Sequence, residues 1–210
     1  MNPNPALTHK PAINAPKFSP PLKNNSVIIT EEEQLGIIPI IPDRITDKLI
    51  DVFKENKNIM PYFDISVQHS SNDVLKLMGR TGTKEKYINV INKIKKEIPN
   101  AILRTTLIVG FPGETHKDFL DLKDFIMQIE FDHLGVFTFS EEEDTLACKM
   151  ANKVPKKLAK QRMKEIMKLQ QGISLKLNQK RINEVHDVLI EDFDGNNYYG
   201  RSYLYAPDAE

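Results

Sequence analysis

The chain has 210 residues, 40% of them hydrophobic, enough to bury the core of one medium domain. Lys+Arg and Asp+Glu each total 29, so the formal charge is zero and no whole-chain field demands a nucleic-acid or membrane partner. No apolar run reaches the roughly 18 residues of a membrane span, and the first 30 residues lack the apolar segment of a secretory signal, so a cytoplasmic protein without a membrane partner is expected.

In chain order, residues 1–30 hold six prolines and no acidic side chain, and 1–35 read as a disordered Pro-rich tail. An organelle transit peptide is the competing idea; the absence of arginine and of an amphipathic stripe weighs against it. From Leu35 onward short apolar runs alternate with helical patterns, the arrangement of parallel strands joined by crossover helices, so the class is α/β. Strands are predicted at 37–41, 62–67, 101–109 and 133–139, each bounded by proline, glycine or polar residues. Helical stripes are Ile45, Leu49, Val52, Phe53; then Tyr87, Val90, Ile91, Ile94, Ile98; then Phe119, Leu122, Ile126, Ile129. Pro155 suits a first helical turn, and a long helix to about Ile182 should carry Ala159, Met163, Ile166, Ile173 and Leu177 on one face. Strand-like pieces at 184–191 and 198–205 flank the turn Asp194, Gly195, Asn196, Asn197, and read as a hairpin.

Chemistry is most concentrated where the 101–109 strand runs into Gly110, Phe111, Pro112, Gly113, Glu114 and Thr115. Pro112 and Gly113 suit the centre of a type II turn, Thr115 and Asp118 form a capping-box pattern, and the glycines would let a ligand approach the backbone. The strand's carboxyl end is where α/β sheets bind ligands, although a plain strand-to-helix connection has the same look. Along 62–69, Asp64, Ser66 and Gln68 alternate with Phe63, Ile65 and Val67, so the polar set lines a lumen or a half-exposed strand. His69 at the strand end reads as solvent-exposed or hydrogen-bonded rather than as a catalytic base, since no partner is visible. Glu141, Glu142, Glu143 and Asp144 read as a solvated acidic loop. Between Lys149 and Arg181 there are eleven Lys or Arg against one acid, Glu165, a field suited to RNA or to simple solubility. The single cysteine, Cys148, cannot by itself make a thiolate metal site, so no metal ligand and no catalytic residue is assigned.

Several separated blocks resemble the radical-SAM methylthiotransferases. They are Pro42, Asp43, Arg44, Ile45, Thr46, Asp47; Pro61, Tyr62, Phe63, Asp64, Ile65; Gln68, His69, Ser70; Val74, Leu75, Lys76 with Met78 and Arg80; and the run from Arg104 to Thr115. The likeness continues through Phe131 to Ser140 and closes at Gly200, Arg201, Ser202, Tyr203, Leu204, Tyr205, Ala206, Pro207 and Asp208. Arg104 with its two threonines, the Leu134 to Thr138 run and the closing block look like the branch that methylthiolates an aspartate of the twelfth small-subunit ribosomal protein. The sister branch acting on adenosine in tRNA shares the 108–115 block.

The resemblance implies the second half of a partial (β/α) radical-SAM barrel over 36–183, followed by the start of a small β-barrel TRAM domain over 184–210. It implies S-adenosylmethionine as cofactor, held by Arg104, Val109, Gly110, Phe111, Gly113, Glu114 and Phe137, with Asp64, Ser66 and Gln68 facing the substrate cavity. The implied partner is the ribosomal protein or the ribosome. Ser66, Gly79, His133, Glu141 and Asp144 depart from the usual pattern in detail. The larger departure is that the three-cysteine loop for a [4Fe-4S] cluster occurs nowhere in these residues, and one thiolate cannot replace three. The expectation is a truncated methylthiotransferase, inactive alone, with a non-catalytic ribosome- or SAM-binding remnant and a fragment of the tRNA-modifying branch as alternatives. Half a barrel leaves an open sheet edge, so marginal stability or association is expected too.

Overall fold

The computed structural model describes residues 40–57, 59–143 and 145–205. The expected tail at 1–35 and most of the strand at 37–41 lie outside the described residues; Ile40 forms a parallel bridge to Ile65.

The three runs read as strands form one parallel sheet in the order β1 (Tyr62–Gln68), β2 (Ile102–Val109), β3 (His133–Thr138). Asp64 stands opposite Arg104, and Arg104 opposite His133; one step along, Thr106 faces Gly135, and Ile108 faces Phe137. Parallel neighbours require crossovers, and these are helices: α2 (Asn72–Leu77) and α3 (Lys84–Glu97) between β1 and β2, and α4 (His116–Ile129) between β2 and β3. α1 (Asp47–Glu55) precedes the sheet and α5 (Lys156–Lys180) follows it. One sheet face is therefore covered: Phe63, Ile65, Val67, Leu103, Leu107, Val109, Leu134 and Val136 enter the core with the helical stripes. The opposite face, carrying Ser66, Gln68, Arg104, Thr106 and Phe137, is only partly covered.

Helix starts follow from local chemistry. Thr46, Ser71, Thr83 and Thr115 each stand just before a helix and accept a hydrogen bond from the N–H three residues on. At Thr115 the expected capping box is complete, because Asp118 also accepts from the Thr115 N–H at 2.8 Å. Asp118 further accepts from Ser71 Oγ at 2.6 Å, tying the start of α4 to the cap of α2. Burial alone would raise the Asp118 carboxyl, but the hydrogen bonds from Ser71 and Thr115 hold it below the ordinary carboxylate range. Its stabilisation is present above the ordinary carboxylate value and is lost as pH falls through the depressed one. Asp118→Ala should cost about 1–2 kcal/mol at neutral pH. In urea unfolding that difference should shrink on acidification; a gap constant with pH would refute the assignment.

Two expectations are corrected. In α1 the buried residues are Ile50 and Phe53, whereas Val52 is 40% exposed. The helix packs along the i, i+3 line through Ile50, which turns Val52 outward. The first hairpin strand begins and ends later than expected, as β4 (Val188–Phe193), and the second begins where expected but stops three residues sooner, as β5 (Tyr198–Ser202). The hairpin turn lies where expected, with Asp194 accepting from the N–H groups of Asn196 and Asn197 at 2.8 and 2.7 Å. α5 matches its predicted extent closely, burying Ala159, Ile166 and Ile173, but it also buries Arg162 and Gln170 on the same face.

Candidate functional site

The polar alternation on β1 brings Asp64, Ser66 and Gln68 to the sheet face away from the helices, the face that also carries Arg104 on β2 and Phe137 on β3. Asp64 is 3% exposed and accepts from Arg104 Nη1 at 2.7 Å, while its second oxygen is buried without a hydrogen-bond partner. Burial pushes the Asp64 carboxyl above its ordinary range, with Arg104 pulling the other way. Ser66 and Gln68 are half-buried; Gln68 has φ of 65°, which ends the regular pairing of β1 and turns the chain away. Phe137 is 63% exposed on the same face, two residues beyond Gly135, whose missing side chain leaves the space beside Thr106 open. A flat aromatic next to Ile108, on the same face as the half-exposed Arg104 and its buried partner Asp64, is a shelf for a planar, partly polar ligand. At the lower end of this face, His133 Nε2 bonds the Leu204 carbonyl oxygen at 2.6 Å, so the chain beyond the hairpin returns to the sheet.

The turn after β2 folds as expected: Glu114 N–H donates to the Phe111 carbonyl at 2.9 Å and Gly113 has φ of +89°. Its side chains, however, do not face the shelf. Val109 is fully buried in the core, and Phe111 is 6% exposed, its ring edge-on to Phe139 at 5.0 Å. A Cβ at Gly110 would lie 2.4 Å from the Ala159 Cβ, so this glycine admits helix α5 rather than a ligand. The Glu114 carboxylate points inward, accepting from the Gly110 N–H and pairing with Arg162 Nη1 at 3.2 Å. What the turn presents outward is backbone: Gly110 and Pro112, with Thr138 to Glu141, Lys153, Val154 and the start of α5, line a cavity of about 310 Å³. The expected cofactor residues thus divide into Arg104 and Phe137 on the open face, and Val109 to Glu114, which shape the adjoining cavity from behind.

His69 is not solvent-exposed. It is fully buried, its Nδ1 accepts from the Ser71 N–H at 2.9 Å, and its Nε2 lies 3.8 Å from Glu114 Oε1. The sequence reading missed Arg162 entirely; the signal was a charged residue one turn from Ala159 and Ile166 on an otherwise apolar stripe.

The sequence matches the radical SAM superfamily over residues 22–126, half of the chain. The chain belongs to that superfamily. The parallel sheet and its helices are part of a radical-SAM fold, and relatives place the sequence with the RimO type. The ribosomal protein uS12 methylthiotransferase RimO of Clostridium perfringens is 46% identical over 178 residues, covering 85% of this chain and 40% of that protein. The protein of the same name from Clostridioides difficile is 49% identical over 162 residues, 77% of this chain and 36% of that one. The chain therefore spans about 40% of the length of the curated relatives it matches. A crystal structure of Streptococcus suis SuiB aligns with 66% of this chain and 29% of its own, at 16% identity and a TM-score of 0.40, too low to carry an argument.

A radical-SAM cluster does not fit the residues of this chain. Cys148, the one cysteine, is unpaired, and among the described residues no three His, Cys, Asp or Glu are grouped to hold a metal ion. A radical-SAM adenosyl ligand does fit: the exposed Phe137 and the outer edge of β3 offer a face and backbone groups, and the 40% exposed side chain of Arg104 a polar contact. No helix among the described residues is long and apolar enough to cross a membrane.

Proposed function

We propose that this chain forms the S-adenosylmethionine-binding side of a methylthiotransferase acting on an aspartate of the twelfth small-subunit ribosomal protein. The observation that carries the proposal is the partly covered sheet face that bears Phe137, next to Thr138 of the cavity wall, with the Arg104 and Asp64 pair farther toward the amino ends of the strands on the same face. Phe137 and the outer edge of β3 would hold the adenine; Arg104, fixed by Asp64, would orient the polar end. Asp64, Ser66 and Gln68 would line the path of the incoming side chain. Bound there, S-adenosylmethionine would supply a methyl group, and hydrogen-abstracting chemistry only with an electron from a cluster that these residues do not hold. With one cysteine these residues by themselves assemble no [4Fe-4S] cluster, so they are inactive alone and the thiolates would come from polypeptide outside them. The hairpin of β4 and β5, with Val188, Leu189, Tyr198 and Tyr199 exposed, is read as the start of a TRAM barrel.

Calorimetry with S-adenosylmethionine tests the binding half. Stacking of a base on an aromatic ring is worth about 1–3 kcal/mol by alanine substitution, so Phe137→Ala should weaken binding about tenfold. Equal heats for both proteins would sink the assignment. Anaerobic treatment of the same preparation with iron and sulfide should give no stoichiometric cluster spectrum, and a full signal would overturn the second half.

A second reading concerns α5. Of its eleven basic residues and those leading into it, Lys153, Arg162, Lys176 and Arg181 are paired with Glu141, Glu114, Glu130 and Asp132. Lys156, Lys157, Lys160, Lys164 and Lys168 remain exposed, with no ion pair among the described residues. These five would meet ribosomal RNA, through contacts that weaken steeply with salt.

A further inference from the structure

The most concentrated buried charge in the molecule lies behind the cavity, not in it. His69, Glu114 and Arg162 come from three separate elements: the loop after β1, the turn after β2, and α5. Their side chains are 0%, 0% and 4% exposed. Three charged or titratable groups held this far from water persist only when each is satisfied by another.

The directions of the bonds show what the cluster does. His69 Nδ1 accepts from the Ser71 N–H, which leaves the ring proton to Nε2, and Nε2 lies 3.8 Å from Glu114 Oε1, close enough to feel the carboxylate but too far to hydrogen-bond it. Arg162 Nη1 reaches both that oxygen, at 3.2 Å, and the Glu114 backbone carbonyl, at 3.3 Å. Its guanidinium also lies 5.3 Å over the Phe119 ring, which fixes the plane of the fork. The other carboxylate oxygen, Oε2, is left to accept from the Gly110 N–H. Glu114 therefore closes its own turn backwards, and the Arg162 contacts are what fix where the carboxylate stands when it does.

We infer that Arg162 is a positioning residue for the ligand cavity: through Glu114 it sets the conformation of the Gly110 and Pro112 backbone that forms one cavity wall. The inference rests on the proposed S-adenosylmethionine site for its ligand but not for its geometry. A lysine at 162 keeps the charge but loses the planar guanidinium that lies over Phe119 and places Nη1 against both the Oε1 atom and the carbonyl, so its flexible ammonium should not hold the two together.

The test is amide hydrogen exchange on the full chain, read at Gly110 and at Phe125 in the middle of α4, for the wild type and Arg162→Lys. The expected result is at least tenfold faster exchange at Gly110 with little change at Phe125. Equal acceleration at both sites would mean that Arg162 only stabilises the fold, and an unchanged Gly110 would mean that it does not hold the turn; either result overturns the inference. In parallel, Arg162→Lys should weaken S-adenosylmethionine binding at least fivefold. Absence of heat with the wild type would refute the ligand assignment while the exchange result still judges the positioning role.

Discussion

Replacing Gly110 with alanine should destabilise the chain by about 2–5 kcal/mol, read as a lower urea midpoint at unchanged slope. Two costs combine. The backbone there has φ of +78°, which a side chain raises by roughly 1–2 kcal/mol. The new Cβ would also stand 2.4 Å from that of Ala159, in a helix anchored along the whole of β3. The double variant Gly110→Ala with Ala159→Gly removes the second cost and keeps the first, so it should recover about half of the loss. Gly113→Ala is the internal comparison: its φ is also positive, but its new Cβ would meet only the flexible end of Leu77, and its cost should be the smaller. If the two single variants were equally destabilised, the contact with α5 would not be what fixes Gly110. Loss of ligand binding in a Gly110 variant is thus no proof of ligand contact, since the substitution first displaces a helix.

Arg162→Met should cost about 3–5 kcal/mol, because it leaves the Glu114 carboxylate buried without its counter-charge. A large part should return in Arg162→Met with Glu114→Gln, where no charge remains to be compensated and the amide oxygen can still accept from the Gly110 N–H. Urea unfolding of the four proteins closes a double-mutant cycle, and an interaction energy near zero would refute the pairing. The expected severity of this variant is why the conservative lysine serves in the exchange experiment.

The parts of the fold that were legible are those whose causes are local. Strands 62–67, 101–109 and 133–139 could be located because alternation and the flanking glycines and prolines lie within a few residues of each strand. The same holds for the capping box at Thr115 and for the turn at Pro112, where three or four adjacent residues contain the whole geometry. What could not be read is what depends on distant partners. Glu114 and Arg162 are 48 positions apart, and Asp64 and Arg104 are 40 apart. Glu114 was therefore assigned outward, to the cofactor, although its side chain closes the turn from within. For His69 the hydrogen-bonded alternative holds, through the nearby Ser71 N–H, whereas its complete burial beside Glu114 depends on a residue 45 positions away. Arg162 and Gln170 were legible in principle, as polar interruptions of an apolar stripe, and each caps backbone or charge from another element. Gln170 donates to the Phe131 carbonyl at 2.8 Å, just where β3 is about to begin.

The strand order has a kinetic consequence. Because β1, β2 and β3 lie side by side in the order in which they are synthesised, each new strand finds its neighbour already made, with its crossover helix emerging in between. A ribosome delivering this chain from the amino end would let the sheet grow one βα unit at a time. Sheet growth would not wait for α5, but the turn at Gly110 would still await Arg162, some fifty residues downstream, before it could take its final shape. The cavity wall would then mature after the sheet that carries it, when the long basic helix swings in behind it.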